Sequence, residues 1–317
     1  MSLPASRESE RRAGVLVLAA FGLLTVFFTG LFPPFSNPNE LSRLEMIFAV
    51  VENGTFQIDQ AIGVLGEQED KALSEGHLYS NKAPGLSLAA IPVYRLLRLF
   101  FPRPHAASDT IFVCLRILVV SSLCTLALTR FHARLSARLP PAASLLTVAV
   151  GFGTPYLFYA RSFLSHAWTA SLLYLAWDLW KSGEDRTRRA TLFFAGAGFL
   201  AGWAAISEYP VALILPLFAL RALLGGSTRR AAVFCLGAAV PIALLAAYNA
   251  ICFGSPFVLS SVREALPRYA ELSRRGFFGF GAPSAQVGVS YLLHPARGVL
   301  LFSPFFLWTL AGFWQWW

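Results

Sequence analysis

The feature that most constrains this chain is a series of long segments with almost no charge. The first, at 13–32, has the length of about 20 residues that a helix needs to cross the hydrocarbon core of a bilayer. Seven further apolar segments lie at 111–129, 142–160, 162–180, 190–206, 209–224, 231–252 and 298–317. Only 14% of the residues are charged, whereas soluble domains average roughly a quarter. We therefore predict an all-α, polytopic transmembrane helical bundle of about eight spans.

Basic residues around the apolar segments predict the orientation. Three arginines precede the first span, which places 1–12 in the cytoplasm and makes 13–317 a single transmembrane domain. The next basic loops lie at 130–138, 181–189 and 221–230. All three fall inside only if the ambiguous segment 84–101, with Pro92 at its centre, is interfacial or re-entrant and does not cross. Two alternatives stay open: a full crossing at 84–101, and a cleaved signal peptide at 13–32.

This topology puts most of the unusual polar residues on the outer face. Outer loop 33–83, the turns at 161–166 and 207–209, and outer loop 253–297 all lie there. Within loop 33–83, apolar residues at 41, 44, 47, 48 and 51 predict a helix lying along the membrane surface, with Asn39 as its N-cap. Loop 253–297 contains Arg263, Arg268, Arg274, Arg275 and Arg297, against the positive-inside rule. That cluster is either a functional cationic surface or evidence against the topology.

Several stretches of the chain resemble a known family. PNELSRLEMIFAVVENGTFQID, followed by DKALSEGHLYSNKAPGLSLAAIPVY, is similar to the first outer loop of GT-C glycosyltransferases, which include protein O-mannosyltransferases, aminoarabinose transferases and lipopolysaccharide sugar transferases. The resemblance continues through GFGTPYLFYARSFLSHAW, ISEYP, YNAICFGSPF and HPARGVLLFSP. It therefore covers nearly the whole chain, although the family commonly continues through further spans and a soluble outer domain, which the chain is expected to lack.

The resemblance implies transfer of a sugar from a polyprenyl-phosphate carrier to an envelope lipid, glycan or protein. The reaction would take place at the outer face of a bacterial inner membrane and needs a general base and cations for the departing phosphate. Where the family shows an Asp-Glu pair, this chain has Asn39-Glu40, so Glu40 is the first candidate for the base. Because Asn39 cannot accept the proton, Asp59 or Asp70 are the alternatives. A helix start stabilised by Glu40 would explain the same residues without catalysis.

Lys82, at the Lys-Ala-Pro-Gly motif, and Arg297 are the candidates for binding the carrier phosphate. A lysine that snorkels at a helix start is the alternative for Lys82. Asn39, His166, Glu208 and Tyr209 complete the predicted substrate-binding set, with structural hydrogen bonding as the alternative for His166. No metal is assigned, although Glu40, Asp59 and His166 could converge on a divalent ion, which some GT-C enzymes use.

Other classes of function fit the sequence less well. The formal net charge of +9 follows from the basic loops, so nucleic-acid binding is not expected. The four cysteines have no metal-site or redox spacing. A transporter or lipid-handling protein is the alternative from another class, but transporters carry inverted repeats and broken polar helices near the middle of the membrane, which we do not find. A truncated, inactive relative is the third possibility.

Overall fold

The computed structural model describes residues 4–31, 37–102, 108–185, 189–274, 281–282, 284–296 and 298–316. The helices are α1 (Pro4–Leu31), α2 (Pro38–Phe48), α3 (Asp59–Leu65), α4 (Gly85–Arg98), α5 (Ser108–Leu115), α6 (Ser122–Arg138), α7 (Ala143–Phe152), α8 (Tyr156–Ala160), α9 (Ser165–Asp185), α10 (Ala190–Ser207), α11 (Leu215–Leu224), α12 (Thr228–Phe253), α13 (Pro267–Arg274), α14 (Ala285–Leu293), α15 (Val299–Phe302) and α16 (Phe305–Trp316). A hairpin of β1 (Lys71–Ser74) and β2 (His77–Ser80) is the small exception to the all-α class that the sequence predicts.

Among the described residues, four helical segments are long and apolar enough to cross a membrane. They are Glu8–Leu31, Ser108–Arg138, Ala190–Ser207 and Thr228–Phe253. The second of these joins α5 to α6 through a π-helical turn at Arg116–Ser121. Two shorter apolar segments lie at Pro140–Phe152 and Tyr209–Leu224. The protein is therefore a membrane protein by the length and composition of its helices, whereas the predicted number of about eight spans is not confirmed.

Contacts between helix ends define two ends of the bundle. At one end, which we call the loop end, the Thr29 hydroxyl near the end of α1 donates to the Arg161 carbonyl at 3.2 Å. At the other, the basic end, the Ser144 N–H at the start of α7 donates to Glu10 at 2.6 Å. The basic end also holds the Arg130 and Arg134 pairs with Asp178. The three residues of these pairs lie far from the loop end.

The two helices with the most extensive mutual contact, α10 and α12, are held together at small residues. α10 and α12 pack along one another, and Gly198 and Gly202, spaced four apart, face α12. A Cβ atom placed on Gly198 would lie 2.0 Å from the Phe234 carbonyl oxygen. Larger residues at these glycines would therefore separate the helices, as in the small-residue contacts of other membrane helix pairs. This packing fixes the position of Ser207 and Glu208 at the loop end.

Helix α4 corresponds to the ambiguous segment 84–101. Its 14 residues rise about 21 Å, which is less than the ~30 Å of a bilayer core. It packs against α2 and α10, where the Trp203 indole donates to the Gly85 carbonyl at 2.9 Å. The length and packing of α4 fit the prediction that this segment does not cross.

Helix α2 differs from the predicted surface helix in two respects. Its N-cap is Asn37, which accepts the Asn39 N–H, so the predicted N-cap role of Asn39 is wrong. All residues from Glu40 to Phe48 are buried, including Arg43 and Glu45. The apolar stripe was recognisable, but the polar face of α2 packs against protein instead of facing solvent. The helix is a central element of the loop end.

The β-hairpin, which precedes α4, forms hydrogen bonds with the segment that follows α12. Its turn at Glu75-Gly76 has positive φ at both residues, 51° and 83°, which gives the tight turn that two-residue hairpins favour. On the outer edge of β1, the Leu73 N–H donates to the Arg263 carbonyl at 2.7 Å, and the Ala265 N–H donates to the Lys71 carbonyl at 2.8 Å. Glu264, between these two residues, is thereby held beside the hairpin.

Candidate functional site

Arg43 links three separate parts of the chain at the loop end. It is 3% exposed, and its guanidinium donates to the Asn39 side chain and to the Ser165 hydroxyl, both at 2.6 Å. Ser165 in turn donates to Glu208 at 2.5 Å. Burial lowers the pKa of Arg43 to about 10, against the opposing effect of Glu208 and other acids. The guanidinium therefore remains charged at neutral pH, and its Nε has no hydrogen-bond partner among the described residues.

Glu208 and His166 form a pair at the ends of two helices. His166 Nδ1 lies 3.1 Å from Glu208 Oε1, and the two side chains are 51% and 27% exposed. Burial alone would raise the pKa of Glu208, but hydrogen bonds from His166 and Ser165 and the charge of Arg43 outweigh it and lower the pKa below its ordinary value. Glu208 is therefore an ionised carboxylate that solvent can reach.

Lys82 lies between carboxylates on the hairpin side of the loop end. Its Nζ is 3.0 Å from Asp70 Oδ2, and both side chains are 20% exposed. The neighbouring Asn81 amide donates to Glu264 at 2.8 Å. Burial and the nearby Asp70 raise the pKa of Glu264, although Asn81 and Lys82 act in the opposite direction. The lysine next to the Pro-Gly bend is therefore not a freely snorkelling side chain, because it forms an ion pair within a small acidic group.

The hydroxyl groups of Tyr209 and Ser260 connect the part of the site around Lys82 with the part around Arg43. The Tyr209 hydroxyl lies 3.0 Å from the Ser260 hydroxyl, which donates to the Asn81 carbonyl at 2.9 Å. We use the name loop-end cluster for Arg43, Asp70, Asn81, Lys82, Ser165, His166, Glu208, Tyr209, Ser260 and Glu264. Of the predicted site residues, the structure brings Asp70, Lys82, His166, Glu208 and Tyr209 into this cluster, with Asn39 beside it.

Glu40 lies behind the cluster in a buried ion pair. Both carboxylate oxygens accept hydrogen bonds from Arg116, and Oε1 also accepts the Phe163 N–H at 2.6 Å. The side chains of Glu40 and Arg116 are 4% and 3% exposed. A carboxylate held in this way would have to break a buried pair before it could accept a substrate proton. The geometry therefore favours a structural role for Glu40 and leaves its catalytic role a hypothesis.

Asp59 and Arg297 do not contribute to the described cluster. Asp59, at the start of α3, accepts the Leu78 N–H at 3.3 Å and lies 3.6 Å from His77. Arg297 lies outside the described residues. Glu40, Asp59 and His166 have separate partners, so they do not converge on an ion. In the part of the chain that the structure describes, no group of three metal-ligating side chains is found.

Sequence reasoning missed Arg43 and Glu264. Their partners are distant in the chain: Ser165 is 122 residues from Arg43, and Asn81 is 183 residues from Glu264. Arg43 did carry one signal, because it follows Asn39 by four residues and therefore shares its helix face. For Glu264 the signal was its place among the arginines of the last outer loop.

An apolar cavity of about 700 Å³ opens beside the cluster. Its walls come from α7–α8 and α15–α16, and they include Phe158, Tyr159, Phe302 and Phe306. The ring of Tyr159 also contacts His166, with centroids 4.7 Å apart. One aromatic side chain thus separates an apolar cavity from the Glu208–His166 pair. An amphipathic ligand could place a polar group at the cluster and an apolar chain in the cavity.

Comparison of the chain with protein-family models, with curated proteins and with solved structures found no match.

Proposed function

We propose that this protein is an integral-membrane glycosyltransferase that moves a sugar from a polyprenyl-phosphate carrier to an envelope acceptor. The observation that carries the proposal is the loop-end cluster: two cations, Arg43 and Lys82, lie among carboxylates at one end of a membrane bundle. The transfer needs a carboxylate that accepts a proton from the acceptor and cations that stabilise the departing phosphate. The apolar cavity beside Tyr159 suits the prenyl chain of such a donor.

Lys82 is the proposed phosphate ligand. Its ammonium is paired with Asp70. The donor phosphate is a diester with one negative charge, as on a carboxylate, but it gains a second charge as it departs, so it would compete with Asp70 for Lys82 most strongly during transfer. Asp70 would then lose Lys82 as its partner when the donor binds. The departing phosphate gains charge during the reaction, so Lys82 would also stabilise the transition state.

The proton acceptor is proposed to come from the exposed carboxylates of the cluster. Burial and the neighbouring Asp70 raise the pKa of Glu264, which makes its carboxylate a stronger base than an ordinary one. Glu208 has a lowered pKa and stays ionised. Because the two pKa values are shifted in opposite directions, one carboxylate can act as the proton acceptor while the other stays ionised and contributes electrostatic stabilisation. Glu264 and Asp70 are therefore stronger candidates than the buried Glu40.

A transporter remains the second candidate because Arg43 is a charged group buried in a membrane protein. In a transporter, however, charged groups are expected near the middle of the membrane, at broken helices. Here the Arg43 network lies at helix ends, where Ser165 begins α9 and Glu208 follows α10. The location favours chemistry at a membrane surface over passage through the bilayer.

The proposal is tested by Lys82→Met, which keeps the apolar stem and removes the charge. Binding of a polyprenyl-phosphate sugar to the purified protein should weaken by roughly 1.5–3 kcal/mol, the scale of a hydrogen bond to a charged group. Transfer to membrane acceptors, followed with a radiolabelled sugar, should fall as well. Lys82→Arg should restore the function only in part, because a planar guanidinium does not replace a compact ammonium.

Lys71→Met is the matched control. Lys71 lies in β1 of the same hairpin, but its ammonium pairs with Glu67, away from Lys82. Its removal should leave donor affinity within about twofold of wild type, since its partner Glu67 is 70% exposed and lies outside the loop-end cluster. Donor binding by Lys82→Met that equals wild type would contradict the phosphate role. Binding without any turnover in the wild type would instead indicate an inactive relative.

A further inference from the structure

The basic end of the bundle contains a second cavity, far from the loop-end cluster. It has a volume of about 480 Å³ and lies between the end of α9, α11 and the start of α12. Arg221 and Arg230 line it together with Trp180, Leu217, Leu220 and Leu224. The cavity thus combines cations with apolar walls at one edge of a membrane bundle.

The charges around this cavity are unbalanced. Its one lining carboxylate, Glu184, is already engaged by Lys181, by the Trp180 indole at 2.9 Å and by Arg221 at 3.1 Å. Arg230 lies over the Phe194 ring at 5.4 Å. Among the described residues, neither Arg229 nor Arg230 forms an ion pair with a carboxylate, and both are exposed. An anion can therefore be held here without displacing an existing ion pair.

The surface next to the cavity is apolar along the length of a helix. Leu217, Leu220 and Leu224 of α11 are exposed, and their spacing of three and four residues puts them on one face. Leu213, which is exposed in the 3-10 turn before α11, extends this apolar surface. This stripe spans about 16 Å of helix from the cavity towards the loop end. A soluble anion such as free phosphate would use the arginines and leave the stripe uncovered. A phospholipid would use both, because its headgroup and its acyl chain are joined.

We propose that this cavity binds an anionic phospholipid, with the headgroup phosphate at Arg230, which lines the cavity, and at the adjacent exposed Arg229, and with an acyl chain along the leucine stripe of 213–224. Clusters of basic residues between membrane helices favour anionic headgroups through their charge. The site is independent of the glycosyl-transfer proposal, because it lies at the other end of the bundle and shares no residue with the loop-end cluster.

The test measures lipid retention by the purified full-length protein, using native mass spectrometry. Dioleoyl phosphatidylglycerol and dioleoyl phosphatidylcholine differ in charge but have the same chains. Wild-type protein should retain the phosphatidylglycerol at least about fivefold more strongly, and Arg230→Gln should lose most of that preference, since one arginine near a membrane surface contributes about that factor. The double variant Arg229→Gln/Arg230→Gln should lose all of it. Inorganic phosphate should not displace the lipid.

Arg138→Gln is the matched control, because Arg138 is exposed at the same basic end but neither lines the cavity nor adjoins, in the sequence, a residue that does. This variant should keep the wild-type preference. If Arg138→Gln loses the preference for phosphatidylglycerol as much as Arg230→Gln does, the preference comes from the overall charge and the site is overturned. Equal retention of both lipids by the wild-type protein would also overturn the site. Displacement by inorganic phosphate would overturn the lipid as ligand. If Arg230→Gln melts early, Arg229→Gln supplies the same comparison on a second exposed residue.

Discussion

The buried pair of Glu40 and Arg116 allows a sharp separation of structural from catalytic roles. Glu40→Gln keeps the size of the side chain and an oxygen that can accept the Phe163 N–H, but it removes the negative charge. Arg116 would then be a buried cation without its main carboxylate partner. Breaking a buried ion pair from one side costs about 3–5 kcal/mol, because the remaining charge has lost its solvation and its partner.

Stability should therefore fall by about 3–5 kcal/mol in Glu40→Gln, measured by denaturant titration of the detergent-solubilised protein with tryptophan fluorescence. Asp70→Asn is the comparison, since it also neutralises an acid in an ion pair. Its pair with Lys82 is 20% exposed on each side, so water screens the charges and the loss should be about 1 kcal/mol or less. The two variants should thus differ in stability by a clear margin.

A second substitution checks the cause. In Glu40→Gln/Arg116→Met the buried cation is removed together with the carboxylate, and a large part of the lost stability should return, because apolar replacement of a buried pair is often neutral. A Glu40→Gln variant that unfolds like wild type but has no transfer activity would refute this reasoning. That result would restore Glu40 as the candidate base.

Two further predictions follow from the same structure. Burial raises the pKa of Glu45 from 4.5 to about 8. Between these two pH values the folded state keeps the proton that the unfolded state releases, so this contribution to stability should be full below pH 4.5 and should be lost as the pH rises to about 8. Glu45→Gln should remove this part of the pH dependence in denaturant titrations. For orientation, Glu75→Cys and Phe257→Cys in a cysteine-free background should react with an impermeant maleimide in intact cells, whereas Ala137→Cys should react only after permeabilisation. Labelling of Ala137→Cys alone in intact cells would invert the proposed topology.

The helices of the bundle were the most predictable part of the fold. Segments without charge and of sufficient length indicated the spans directly, and the four helices that meet the membrane criteria all fall on predicted segments. Helix α4 was also recognisable, because Pro92 and the basic loops set it apart. The count of spans was less secure, because helices such as α7 and α11 are short.

The loop that covers the helix ends was harder to predict. The apolar stripe of α2 had the right period, but periodicity does not tell a surface helix from one whose polar face is also buried. Arg43 and Glu45 are buried only because Ser165 and Gln68 supply hydrogen bonds. Those partners come from distant parts of the chain, so no local pattern in α2 could show them. The Asn37 cap was missed because Pro38, one residue later, was not used as a helix start.

In the candidate site, too, some residues were recognisable from the sequence whereas their distant partners were not. Lys82 and Glu208 stood out because a charge next to apolar segments needs a partner. Glu40 stood out because the resemblance places it at an acidic pair, and its partner Arg116 lies 76 residues away inside a predicted span. An acid inside a membrane protein is therefore a signal that does not distinguish a catalytic group from a buried ion pair. What distinguishes them is the presence of solvent at the carboxylate, which is a property of the assembled fold.

The two kinds of charged group also depend on one another. The buried Glu40–Arg116 pair joins α2 to the turn at Arg116–Ser121 and, through Phe163, to the segment before α9. Arg43 lies less than one helical turn after Glu40 and bonds Ser165, two residues after Phe163. The pair therefore sets the distance between α2 and α9 at the point where Arg43 must reach Ser165 and, through it, Glu208. A charge pair that is costly to bury in a membrane protein is retained here, we infer, because it positions the exposed carboxylates that can react.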